Sequence, residues 1–180
     1  VRVIRLPLWP DHSRSAVRRM LNYFSFAVSA AILGPLLCGR QDVMYVWHPP
    51  TTVGMVAWVI HLLRRVPFLY GVHDLWPESV VAAGMMRGGP LVKILNGLQR
   101  FVYSRAHLIG VVSPGFIPHL ESKRIPRSKV HHLPDWADEE VFHPVARDED
   151  LAKTLGMTER FNVVFGGQLG IAQGLDTIVE

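Results

Sequence analysis

Apolar residues fall in short runs separated by polar, proline- and glycine-bearing stretches, and the run Pro67 to Val72 is the one around which the rest is arranged. It is apolar on both faces, which predicts a strand buried from both sides in a parallel sheet. It ends at His73-Asp74, so an imidazole and a carboxylate stand where that strand stops. Trp76-Pro77 then turns the chain, and Pro77 and Glu78 suit the first turn of a helix. The same reading along the chain predicts strands at Val1 to Leu8, Asp42 to Trp47, His107 to Val112, Lys129 to Leu133 and Phe161 to Phe165. Helices are expected at Val53 to Leu63, Leu91 to Arg105, Phe116 to Ser122 and Leu151 to Leu155. Strand, helix, strand alternation implies a parallel sheet with right-handed crossovers.

The longest apolar stretch, Leu21 to Cys38, follows Arg14, Arg18 and Arg19. Its length is near that of a membrane span, while Asn22, Ser25, Ser29, Gly34 and Pro35 dilute it. Three readings stay open: a helix packed on the sheet, a bilayer span, or a helix lying in a membrane interface. The proline-bearing, acidic stretch His143 to Asp150 reads as a linker. It divides an α/β domain ending near Ala146 from the opening of a second one, residues 147–180.

Composition narrows the class. The 180 residues are 49% hydrophobic and 19% charged, which excludes a disordered chain and supports a sizeable core. One cysteine, Cys38, cannot form an internal disulfide and points to a reducing compartment. The net charge of +4 favours phosphate-bearing small molecules or an anionic membrane surface. Nucleic acid is not indicated: there is no RNA-binding aromatic motif, finger spacing or basic tail. His131-His132 lie side by side on a strand and point to opposite faces, so no metal site is read there.

Four stretches, in order, resemble the family 4 glycosyltransferases of the GT-B fold, in their bacterial O-antigen, capsule and colanic-acid branch. They are H-D-L-W-P-E-S at 73–79, R-F-V-Y-S-R-A with V-V-S-P-G-F at 100–106 and 111–116, P-D-W-A-D-E-E-V-F-H-P at 134–144, and F-G-G-Q-L-G-I-A-Q-G-L-D at 165–176. The resemblance implies two facing Rossmann-like domains with the site between them, the first incomplete here and the second only begun. It implies a glycine-rich loop before Val1 and a glutamate pair beyond Glu180. It implies retaining transfer of a sugar from a nucleotide-diphospho-sugar, without a metal or other cofactor. The acceptor is expected to be a lipid-linked saccharide at the cytoplasmic membrane face, with Arg14 to Cys38 leaning on anionic lipid. Two rivals are another GT-B enzyme, such as a nucleotide-sugar epimerase, and a non-enzymatic membrane protein spanning at Leu21 to Cys38.

Roles follow position. By resemblance His73 contacts the donor's sugar and phosphate region, and an imidazole at a strand's carboxyl end can donate to such oxygens. Asp74 would orient His73, bind an acceptor hydroxyl, or cap the helix before Pro77. Ser113 and Gly115 offer a hydroxyl and an N–H to substrate, or form a capped turn. Asp135 and Asp138 are read as structural. Gly166, Gly167, Gln168, Gln173 and Gly174 match the family's diphosphate-binding stretch. Glutamines stand at Gln168 and Gln173 where many relatives have Arg and Lys. Phosphate binding there would rest on backbone N–H groups and a helix dipole.

Overall fold

The computed structural model describes residues 2–11, 16–82, 84, 89–159, 161–167, 174–175 and 177. The chain forms two compact units, residues 1–134 and 135–180. The division follows Pro134, upstream of the boundary expected near Ala146.

Among the described residues the first unit holds four strands: β1 (Met44–His48), β2 (Phe68–Val72), β3 (Leu108–Val111) and β4 (Val130–His132). They pair in chain order, β1-β2-β3-β4, and every pairing is parallel. Five described α-helices join or precede them: α1 (Ala16–Leu37), α2 (Thr52–Arg64), α3 (Glu78–Ala82), α4 (Pro90–Arg105) and α5 (Phe116–Ser122). This is the expected Rossmann-like α/β arrangement. β2 lies inside the sheet, and Phe68, Tyr70, Gly71 and Val72 are all buried. That is why its sequence shows no polar alternation.

The core lies between the sheet and the helices behind it. Phe68, Tyr70, Val72, Ile109, Val111 and Val130 pack with Val102, Tyr103 and Ala106 of the α4 region and Leu120 of α5. Helix α2 approaches closely because it carries Gly54. A Cβ there would lie 2.4 Å from Val102 Cγ1 and 2.9 Å from Tyr70 Cε2. Arg65, in the left-handed region at φ 57°, closes α2 by donating its N–H to His61 O.

Three expectations are corrected. Val1 to Leu8 is not a strand: the described residues 2–10 have no strand pairing. Side chains of α1 serve that backbone instead. Ser29 Oγ donates to Pro7 O (2.6 Å), Trp9 N donates to Ser25 Oγ (2.8 Å), and Asn22 Nδ2 donates to Trp9 O (2.8 Å). Prolines 7 and 10 remove donors that a ladder would need. Helix α1 does not lie on the sheet; it packs chiefly along α2, as an outer layer. Gly34 permits this, since a Cβ there would sit 3.3 Å from Ile60 Cδ1, and Arg64 Nη1 donates to Pro35 O at the far end.

The second unit contains α6 (Glu149–Thr154), capped by Asp148 Oδ1, which accepts from Leu151 N at 2.9 Å. Phe161 to Phe165 is not a strand, and Phe161 is 94% exposed. Apolar residues of strand propensity form a ladder only when a second strand supplies the other half of each hydrogen bond.

Candidate functional site

The C-terminal ends of β1, β2 and β3 lie side by side, because Val72 is in register with both His48 and Val111. His73 leaves the end of β2 half-buried. Its ring is held from β1. Trp47 stacks on it with centroids 3.5 Å apart and planes 16° apart, and the Tyr45 hydroxyl hydrogen-bonds Nε2 at 3.1 Å. Tyr45 and Trp47 point to one face because strand side chains alternate. Gly71 makes room for them: a Cβ there would lie 2.3 Å from Tyr45 Oη. The sequence reading had missed Tyr45 and Trp47. Their spacing of two in Met44-Tyr45-Val46-Trp47-His48 was the available signal.

Asp74 reaches forward, accepting from Ser79 Oγ at 2.9 Å, so it braces the turn through Trp76-Pro77. Glu78 opens α3, where its charge suits the helix N-terminus, and pairs with Lys123 Nζ at 2.6 Å. Ser113, two residues past β3, accepts from Gly115 N at 3.3 Å, and Phe116 N donates to Ser113 O. This is the capped turn that was one of its two readings. Asp138 likewise caps a turn, with Glu140 N donating to Oδ1 at 3.0 Å.

Behind these residues the site rests on buried polar groups. His48 is fully buried and lies 3.2 Å by Nε2 from Thr51 Oγ1. Burial foremost, then the nearby His73 and Lys123, pushes its pKa down from 6.5 to about 4, so it is neutral at pH 7. Burial raises the phenols of Tyr70 and Tyr103 well above the ordinary range.

The fold therefore brings His73 and Asp74 together with Tyr45 and Trp47, and places Ser113 at the adjoining strand end. Gly166, Gly167 and Gly174 belong to the second unit, where Gly174 has φ 56°. Gln168 and Gln173 lie outside the described residues. Among the described residues no group of His, Cys, Asp or Glu is arranged to hold a metal ion.

Known proteins are similar to this chain. An Escherichia coli K12 protein named as a colanic acid biosynthesis glycosyl transferase, WcaI, is 24% identical over 192 aligned positions, covering 99% of this chain and 46% of its own length. A Pseudomonas aeruginosa protein named as a glycosyltransferase, WbjE, is 30% identical over 146 residues, covering 78% of this chain and 36% of itself. The alpha-galactosylglucosyldiacylglycerol synthase of Streptococcus pneumoniae is 35% identical over 93 residues, 48% of this chain and 25% of itself. The chain spans less than half the length of each of these relatives. The family model described as a glycosyl transferase 4-like domain matches residues 1–136, the whole of the first unit with its sheet and the His73 site. This chain belongs to the glycosyl transferase 4-like family.

Proposed function

We propose that the protein transfers a sugar from a nucleotide-diphospho-sugar to a lipid-linked saccharide acceptor in cell-surface polysaccharide synthesis. The observation that carries this is His73, held at the C-terminal end of β2 by Trp47 and Tyr45 in a domain of glycosyltransferase family. Ligands of open α/β sheets bind in the crevice beyond the strands' carboxyl ends. His73 stands at that edge with its Nε2 on the Tyr45 hydroxyl, and Asp74 braces the turn that follows. In this reading His73 donates to an oxygen of the donor's sugar or phosphate. Gly166, Gly167, Gln168, Gln173 and Gly174 bind the diphosphate from the second domain. Transfer proceeds with retention, as the resemblance implies, and needs no metal. Catalysis is positioning and stabilisation of the departing diphosphate. The names of the relatives support this acceptor class: one is named for colanic acid biosynthesis and one as an alpha-galactosylglucosyldiacylglycerol synthase.

The test is His73→Ala in the full-length enzyme. Loss of a donor at developing charge lowers turnover by about a hundredfold or more. Turnover near normal with an unchanged melting curve would refute the role of His73.

A location at the inner face of the cytoplasmic membrane goes with this reading. Among the described residues α1 is long and apolar enough to cross a bilayer over Met20–Leu37. Its contacts with α2 and with residues 7–9 favour lying along the surface over spanning it.

A further inference from the structure

Lys123 follows α5, and its side chain is almost buried, 12% exposed. An ammonium has three protons to donate. Lys123 Nζ directs them at Asn96 Oδ1 (3.2 Å) and Gln99 Oε1 (2.6 Å), both on α4, and at Glu78 Oε1 (2.6 Å) on α3. Gln99 is fully buried and turns its other end outward, donating Nε2 to the carbonyl of Trp76. Trp76 and Glu78 flank Pro77. The segment that carries His73 and Asp74 is thus tied at two points, to α4 through the Trp76 carbonyl and to Lys123 through the Glu78 carboxylate, with Lys123 in turn bonded to α4. His119 Nε2, 3.9 Å from Glu78 Oε1, and the buried Tyr103 phenol are further titratable groups that interact with that carboxylate.

A partly buried ion pair, here with Lys123 12% and Glu78 33% exposed, contributes little net stability, because desolvation and solvent screening offset most of the attraction. What it supplies is direction: a buried amide and ammonium with their bonds made hold one geometry. The residues so held are not in the core. They are the turn that leads out of the site.

We infer that Gln99 and Lys123 are positioning residues of the transfer site, fixing the 73–79 segment so that His73 stays stacked on Trp47 and Asp74 stays on Ser79. The inference rests on the transfer reading of His73. The pair touches no substrate; it acts through the segment.

The test uses the full-length protein with carbon-13-labelled histidine rings and needs no ligand. In the parent protein the His73 ring protons, identified by their loss in His73→Ala, are shifted upfield by the Trp47 indole. In Lys123→Met and in Gln99→Met these signals move toward free-histidine positions. Amide exchange over residues 73–79 speeds up by at least about tenfold, while β3 keeps its protection, since local opening is separable from global unfolding. Unchanged His73 signals and exchange in a folded variant would overturn the inference. So would exchange that rises equally across β2, β3 and α4, which marks a purely structural pair. Should Lys123→Met not fold, Glu78→Gln removes the charge partner at a third-exposed side chain and is read in the same two ways. Normal turnover in His73→Ala would remove the site itself, a separate outcome from the loss of the tie.

Discussion

A methyl group added at Gly54 and one added at Gly71 meet comparable crowding with opposite consequences. At Gly54 the obstacles are Val102 and Tyr70, both fully buried and unable to yield. Gly54→Ala should cost about 1–3 kcal/mol as overpacking, seen as a lower denaturation midpoint. At Gly71 the obstacles are the hydroxyl end of Tyr45, a half-exposed side chain that can swing away, and His73 Nε2 at 3.1 Å. Gly71→Ala should leave stability within about 1 kcal/mol while breaking the bond to His73, so full-length turnover falls and the melting temperature barely moves. A large fall in both would show that Tyr45 is locked in place. His48 makes the fold less stable in acid. Its folded pKa of about 4 lies below the ordinary 6.5, so the unfolded chain takes the proton first as pH falls. The stability of the neutral buried ring is whole above about pH 6.5 and is lost progressively toward pH 4, about 3 kcal/mol in all. His48→Gln should flatten the fall of melting temperature between pH 7 and 4.5; an unchanged slope would assign that fall to the carboxylates.

Among the elements, α1 has the clearest external consequence. Leu21, Phe24, Val28, Ile32 and Leu36 recur every three or four residues and are all exposed, so they form one apolar stripe. Beside it an apolar groove of about 240 Å³ runs between α1 and α2, lined by Ala27, Ala31, Met55 and Val59 among others. Arg18 is exposed near the head of the same helix, and Arg14 lies outside the described residues. A basic residue near an anionic surface contributes about 1 kcal/mol, and salt weakens it. The full-length protein should sediment with anionic vesicles, less with neutral ones or at high salt, and less after replacement of Arg14, Arg18 and Arg19 by Gln. Equal binding to both vesicle types, indifferent to salt, would sink the surface reading. The elements also show what the sequence could tell. β1 to β4 and the helices between them were legible to within a few residues, because each has its own period and its own stop signals. Val1 to Leu8 and Phe161 to Phe165 were misread because pairing is a property of two strands, and one run of residues carries only half of it. Tyr45 and Trp47 were missed for a related reason: alternation shows that they share a face, not that His73 folds back onto it.

At the scale of the molecule, the proposed transfer calls on a second domain. The matches cover 46%, 25% and 36% of the relatives' own lengths, and in the proposed reading the donor is bound by residues of both domains. The 180-residue chain by itself should therefore transfer no sugar. Transfer by this stretch alone, from any nucleotide-diphospho-sugar, would overturn the two-domain reading.

The strand order has a consequence for how the molecule comes into being during synthesis. Among the described strands each pairs with the one before it in the chain. The partner pairs Val46–Tyr70, Tyr70–Ile109 and Ile109–Val130 are 24, 39 and 21 residues apart, by subtraction of their numbers. Closing the longest of these loops costs only about 0.5 kcal/mol more than the shortest, from the logarithm of 39/21. The loop lengths alone therefore single out no closure as the costly one. Tyr45, Trp47 and His73 all precede Gln99 and Lys123 in the chain, so the residues that grip the ring are made before those that tie its loop.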